Sequence, residues 1–197
     1  MTSTDRYIAR ILFANKVYRA NGQAYEDLFV AVRTKSNPNF RPVKPQGKFG
    51  DRKNDGFDQT SGVYYQVYAP EDASHKEKET IDKLEEDFKG LKSFWNKICP
   101  IKEFYFVLND KYHGAYASLD KELAKLKKKH SLNAVGPYLA KDLETDLFGL
   151  KDDEIFTIIG QPPTPEKIEN LRYAALNDVI DHLFQTIKAV TLMGRYE

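Results

Sequence analysis

Two adjoining stretches decide the fold: GDRKNDG at residues 50–56 and VYYQVYA at residues 63–69, joined by FDQTSG. In the second, Val63, Tyr65, Val67 and Ala69 alternate with Tyr64, Gln66 and Tyr68, the period-two pattern of a strand. Asp55–Gln59 supplies a partner strand, and Thr60, Ser61 and Gly62 close the pair as a hairpin.

Working outward from the hairpin, helical spacing dominates. Tyr7, Ile8, Ile11, Leu12 and Val17 predict a first helix, capped by Thr4 or Asp5 and stopped at Asn21-Gly22. A second helix is expected from Gln23 to about Arg33, with Tyr25, Leu28, Phe29 and Val32 inward. Residues 34–53, rich in Pro, Asn, Gly and cations, read as a loop or short edge strand. Beyond Pro70, residues 73–97 form a charged helix with Ile81, Leu84, Phe88, Leu91 and Trp95 as its core stripe. The charges between them read as a solvated face. Glu103–Leu108, continuously apolar, predicts a central strand covered on both sides. A helix at Ser118–His130, a weak strand at Leu132–Leu139 and short helices at Ala140–Leu150 and Asp153–Gly160 follow. After the stiff linker QPPTP, residues 165–192 read as one long amphipathic helix. Its seam of Leu176, Ile180, Leu183, Ile187 and Val190 suits a second copy, a companion subunit or the chain's own sheet. The expected organisation is a domain over residues 1–160 and a linker plus helix over 161–197.

Composition narrows the class. The chain has 197 residues, 41% hydrophobic and 30% charged, and can bury roughly 70% of its unfolded surface. One cysteine, Cys99, excludes an intramolecular disulfide and fits a cytoplasmic setting; it reads as packing rather than a nucleophile. Residues 1–10 carry no apolar signal segment, and no apolar run is long enough to span a bilayer, so no membrane partner is expected. The net charge of +1 hides an asymmetry: residues 1–54 hold eleven lysines and arginines against four acids. That excess points to a polyanion, with Arg33, Lys35, Arg41, Lys44, Lys48 and Arg52 as contacts. There is no phosphate loop, no dinucleotide fingerprint and no nucleophile elbow. His75, His113, His130 and His182 have no zinc-ligand spacing.

One constellation carries chemistry. Glu26 lies on a helix, Asp55 opens a hairpin strand, and Gln66 lies in the next strand. Mg²⁺ or Mn²⁺ takes oxygen ligands, commonly one or two carboxylates with water and phosphate. Asp51 and Asp58 flank the same hairpin as further carboxylates. Plainer roles exist for each: Asp55 as a turn residue, Glu26 on a solvated helix face, Gln66 as a hydrogen-bonded strand amide, and Lys127–Lys129 as cations at a helix end.

The hairpin also resembles the metal-site hairpin of the PD-(D/E)XK, restriction endonuclease-like nuclease superfamily, nearest its Mrr-type branch. That branch reads G-D-x-G-x-D-G followed by Q-x-K; here residues 50–56 and Gln66 to Tyr68 stand in those places. Glu26 within AYEDLF matches its helical acid. The strand Phe104–Asn109 and the pair Leu143-Glu144 resemble the later half of nuclease-like domains in prokaryotic defence proteins. The likeness covers roughly residues 5–160. It implies an α/β fold with a mixed central sheet, elements in the order α-β-β-β-α-β, and helices on both faces. It also implies a metal-dependent DNA endonuclease of a restriction or anti-phage system, with Glu26, Asp55 and Asp51 holding Mg²⁺ or Mn²⁺ and Gln66 as a neutral ligand. Tyr68 departs from the pattern, because it stands where the family has lysine. A tyrosine of ordinary pKa brings no positive charge to the attacking water. Lys53, with Lys48 and Lys76, is the candidate for a migrated amine; without one, the chain is a silent nuclease-like module for nucleic-acid binding or assembly.

Overall fold

The computed structural model describes residues 1–44, 50, 52–71, 77–161, 173, 176–178 and 180. The chain divides into two compact units, Met1–Gly160 and Gln161–Glu197. In the second, Tyr173, Leu176–Asp178 and Ile180 are helical; the rest of the expected residue 165–192 helix lies outside the described residues.

The first unit begins with α1 (Ser3–Arg19) and α2 (Gln23–Ser36). Thr2, rather than Thr4 or Asp5, caps α1: its hydroxyl accepts from the Asp5 amide, and the Asp5 carboxylate accepts from the Thr2 amide. Gly22 makes the corner at a positive φ of 48°, where a side chain would be strained. Three short or central strands follow, β1 (Phe40–Pro42), β2 (Gly56–Asp58) and β3 (Val63–Tyr68). Then come α3 (Glu77–Trp95), β4 (Glu103–Leu108), α4 (Ala117–His130), β5 (Ala134–Tyr138), α5 (Ala140–Phe148) and α6 (Asp152–Ile159).

The five strands form one mixed sheet in sequential order. β1–β2 and β2–β3 pair antiparallel, while β3–β4 and β4–β5 pair parallel. The α-β-β-β-α-β order expected from the hairpin is therefore present from α2 to β4. Helices cover both faces. On one, α1, α2, α5 and α6 enclose Phe13, Phe29, Tyr65, Val107 and Leu147; on the other, α3 and α4 enclose Tyr64, Phe104, Phe106, Leu84 and Leu123. Adjacent tyrosines on β3 thus enter different cores, which is what their alternation predicts.

Some expectations fail for identifiable reasons. In α1 the buried stripe is Ala9, Phe13 and Val17, while Tyr7 and Ile11 stay exposed. Two apolar arcs compete on that helix, and the one carrying Ala9, Phe13 and Val17 joins the core shared with α6. The charges of α3 are not all solvated, since Asp87 is completely buried. Residue 116, not Ser118, precedes the first turn of α4, without a side-chain cap. Cys99 is only half-buried.

Candidate functional site

The hairpin opens where Asp55 ends the regular ladder. Its amide donates to the Tyr65 carbonyl at 3.1 Å, and its carboxylate Oδ2 accepts from the Val67 amide at 2.5 Å. Gly56 follows because the Phe40 ring fills the space of a side chain: a Cβ there would lie 2.2 Å from Phe40 Cζ. The pair Asp55-Gly56 therefore fits an edge strand folded over the hairpin as well as a turn. Asp55 is 3% exposed and Gln66 6%, and Asn54 is fully buried. Gln66 donates Nε2 to the Val67 carbonyl at 3.3 Å, but its Oε1 is buried with no partner. An orphaned acceptor of this kind costs about 1–3 kcal/mol in a dry site. Both side-chain polar atoms of Asn54 are in the same condition.

Across from β3, α3 presents a second polar group. Asp87 Oδ1 receives the ammonium groups of Lys53 and Lys83, each at 2.9 Å, and Lys53 also reaches Glu86 at 2.9 Å. Asp87 Oδ2 and the Thr80 hydroxyl are buried without partners. Burial alone would lower the Lys53 pKa, but its carboxylate partners outweigh it and push the value up. Tyr68 lies on the same face, its phenol donating to Glu79 at 3.2 Å. Burial first, then Glu79 and the charge of Asp87, push Tyr68 up to about 12. The phenol is neutral at any working pH.

The remaining candidates divide. Glu26 is half-buried in the first turn of α2, whose Gly22 amide donates to the Ala69 carbonyl just past β3. Asp55, Gln66 and Tyr68 thus lie toward the carboxyl end of β3, where open α/β sheets place their ligands, while Glu26 stands on α2, which covers the opposite, Tyr65 face of the sheet. Asp58 lies at the far end of β2 and caps the hairpin turn instead. It accepts from the Thr60 hydroxyl at 2.6 Å, the Thr60 and Ser61 amides and Asn37, and these bonds outweigh burial to hold it at about 2. Arg33 is not a surface contact: it pairs with Asp146, donates to the Tyr65 hydroxyl at 2.9 Å and lies over the Tyr65 and Tyr138 rings. Its place four residues after Phe29 on the inward stripe of α2 explains why. Arg52 lies over the Phe94 ring, 4.9 Å from its centre. Lys35, Arg41 and Lys44 are exposed. Asp51, Lys48 and Lys76 lie outside the described residues.

No protein-family model, curated protein or solved structure matches the chain. Its function has to be argued from the site. Among the described residues, no three His, Cys, Asp or Glu side chains form a group able to hold a metal ion. An amide oxygen extends the donor set, and Gln66 Oε1 is the kind of orphaned atom that a hard cation would satisfy. Asp55 adds a carboxylate beside it. The sequence reading missed Asp87 and Lys83. A signal was present, because Asp87 falls seven residues after Thr80 and three after Leu84, on the inward stripe of a helix whose charges read as a solvated face.

Proposed function

We propose that the chain is a divalent-metal-dependent phosphodiesterase acting on DNA, built on a restriction endonuclease-like core. The observation that carries this reading is the buried, unpartnered Gln66 Oε1 beside the Asp55 carboxylate at the carboxyl end of β3. Asp55 and Gln66 would hold Mg²⁺ or Mn²⁺; Glu26 enters the ligand set through the resemblance alone, since its helix covers the other face of the sheet. Such an ion polarises a phosphate and lowers the pKa of a bound water. The positive charge that the family's lysine would bring is offered from the α3 side, where Lys53 and Lys83 meet on Asp87. Arg41 and Lys44 on and beside the edge strand β1, with Lys35 in the last turn of α2, would supply phosphate contacts. A role in a prokaryotic restriction or anti-phage system belongs to this reading through the resemblance alone.

A specific observation also favours a silent binding or assembly module. The phenol of Tyr68 is engaged by Glu79, and the Lys53 charge is already balanced by Asp87 and Glu86. Cleavage assays separate the two readings. The full chain should nick plasmid DNA with Mg²⁺ or Mn²⁺ and not with EDTA. Asp55→Asn keeps an acceptor for the Val67 amide while removing the charge, so it should abolish cleavage without unfolding the protein. Its DNA binding should stay equal or tighten, because repulsion of phosphate is relieved. Absence of divalent-dependent cleavage of DNA, with no divalent-dependent rise in melting temperature, leaves the silent module standing.

A further inference from the structure

A second concave surface lies away from the hairpin, between α3 and α4. Its cavity measures 730 Å³, within the range of small-molecule sites. Leu84, Phe88 and Leu126 form a buried apolar floor. Around it stand Lys89, Lys92, Lys97, Lys125 and Lys129, against only Glu85 and Glu122. Glu122 is already paired with Lys125. The ring of His130 packs on Phe88 with centroids 5.0 Å apart, and its Nδ1 meets the Lys92 ammonium at 2.6 Å. Burial first, then Lys92 and Lys129, push His130 below its ordinary pKa.

Like charges are therefore drawn together over an apolar, partly aromatic floor. Helix-end electrostatics explain the run Lys127–Lys129, which sits in the last turn of α4. They also cover Lys92 in the last turn of α3, but not Lys89 and Lys125, which line the groove from before the last turn of each helix. A flat apolar group bearing negative charge satisfies both features: the ring rests on the floor and the charge meets the lysines. We propose that the α3–α4 groove binds a nucleotide unit, its base against Phe88 and His130 and its phosphate among Lys92, Lys129 and Lys89. That unit could be free or part of a strand; the chemistry recognised is the same. The inference does not depend on the metal site, since no hairpin residue lines the groove.

The test uses the full chain with Asp55→Asn in the background, so that cleavage does not consume the probe. Fluorescence anisotropy with a labelled single-stranded DNA decamer, and calorimetry with ATP, measure the two sources separately. At least one should bind. The double variant Lys92→Glu, Lys129→Glu should weaken that binding about tenfold or more. For the strand it should also reduce the salt slope by roughly 1.4, two contacts' worth. Far-ultraviolet circular dichroism checks that the variant is folded; if it is not, His130→Ala and Lys89→Ala replace it, each expected to weaken binding severalfold. Strand binding alone that the folded variants weaken assigns the groove to nucleic acid, and ATP binding alone that they weaken assigns it to a free nucleotide. No binding of either overturns the proposal, as does equal affinity in the folded variants. Displacement by poly-glutamate as effective as by nucleotide, at equal charge, overturns it in favour of an acidic protein partner. Loss of cleavage elsewhere leaves these outcomes unchanged, so this inference and the nuclease reading fail separately.

Discussion

Arg33 and Asp87 each centre an ionic cluster, one on either face of the same sheet, the first half-buried and the second fully buried, and they are built differently. On the α2 face Asp146 Oδ2 accepts from both Arg33 and the Tyr138 hydroxyl, the latter at 2.6 Å, and the guanidinium is flanked by Tyr65 and Tyr138. On the α3 face one oxygen of Asp87 takes two flexible lysines, each about a third exposed, and the other oxygen has no partner. A planar, always-charged guanidinium suits a rigid fork with ring contacts, whereas an ammonium on a long stem can exchange partners. The first centre holds the fold; the second retains charge that a ligand can use.

The largest effect should come from breaking the first. Arg33→Met leaves the half-buried Asp146 carboxylate without its countercharge and should lose about 2–3 kcal/mol of stability. Adding Asp146→Leu should restore most of it, since well-packed apolar pairs often replace buried ion pairs without loss. Urea denaturation of the three proteins checks this. A double variant as unstable as the single would mean that Tyr65 and Tyr138, not the ion pair, hold the centre.

Asp58 tests saturation without a countercharge. Its folded pKa of about 2 lies below the ordinary carboxylate value, so its contribution is fully present above pH 4. It is lost as pH falls from about 4 to about 2. Asp58→Asn should therefore lose about 2 kcal/mol near neutral pH and little below pH 2. Thermal melts across that window read the difference directly. A constant deficit at every pH would assign the effect to packing.

The second ionic centre should be cheaper to break and more expensive in function. Asp87→Asn leaves two lysines that water can reach, so the stability loss should be about 1 kcal/mol. Under the nuclease reading, cleavage should fall about tenfold or more as Lys53 loses its anchor, equivalent to ~1.4 kcal/mol in the barrier. The Arg33→Met, Asp146→Leu pair should leave cleavage nearly unchanged. Reversal of that order, with activity tracking Asp146 rather than Asp87, would move the working face of the sheet to the α2 side.

The contrast also shows what could be read from residues in order. The hairpin follows from local alternation and the covered β4 strand from its continuous apolar run, because strand period and turn chemistry act over a few residues. The inward stripe of α2 was legible for the same reason. Arg33 and Asp87 were not, although both sit on helix stripes. A charge on such a stripe reads as a break in the pattern until its distant partner is known, 113 residues away for Arg33 and 34 for Lys53 to Asp87; the i,i+4 pair Lys83–Asp87 alone looks like a surface pair. Asn109 was hidden likewise: its amide ties β4 to the Val17 and Ala20 carbonyls at the end of α1. Long-range polar pairs leave no periodic trace. The metal hypothesis was legible as residue types, whereas the unpartnered oxygen that supports it exists only in the fold.

The smallest expected effect bears on the residue that departs most from the nuclease pattern. With its phenol pushed up to about 12, Tyr68 carries no charge at any pH where the protein is folded and working. If Lys53 and Lys83 supply the charge instead, the hydroxyl contributes only its bond to Glu79. Tyr68→Phe should then change stability by less than ~1 kcal/mol and cleavage by less than about threefold. Its pH–rate profile should superimpose on that of the wild type, because no ionisation of Tyr68 enters it. Lys53→Ala in the same assay should be far more damaging, since it removes the charge rather than a neutral donor. A rate collapse in Tyr68→Phe with Lys53→Ala unaffected would locate the chemistry at the phenol and remove the α3 cluster from the mechanism. Equal tolerance of both substitutions, in a protein that does cleave, would place the required cation on another element.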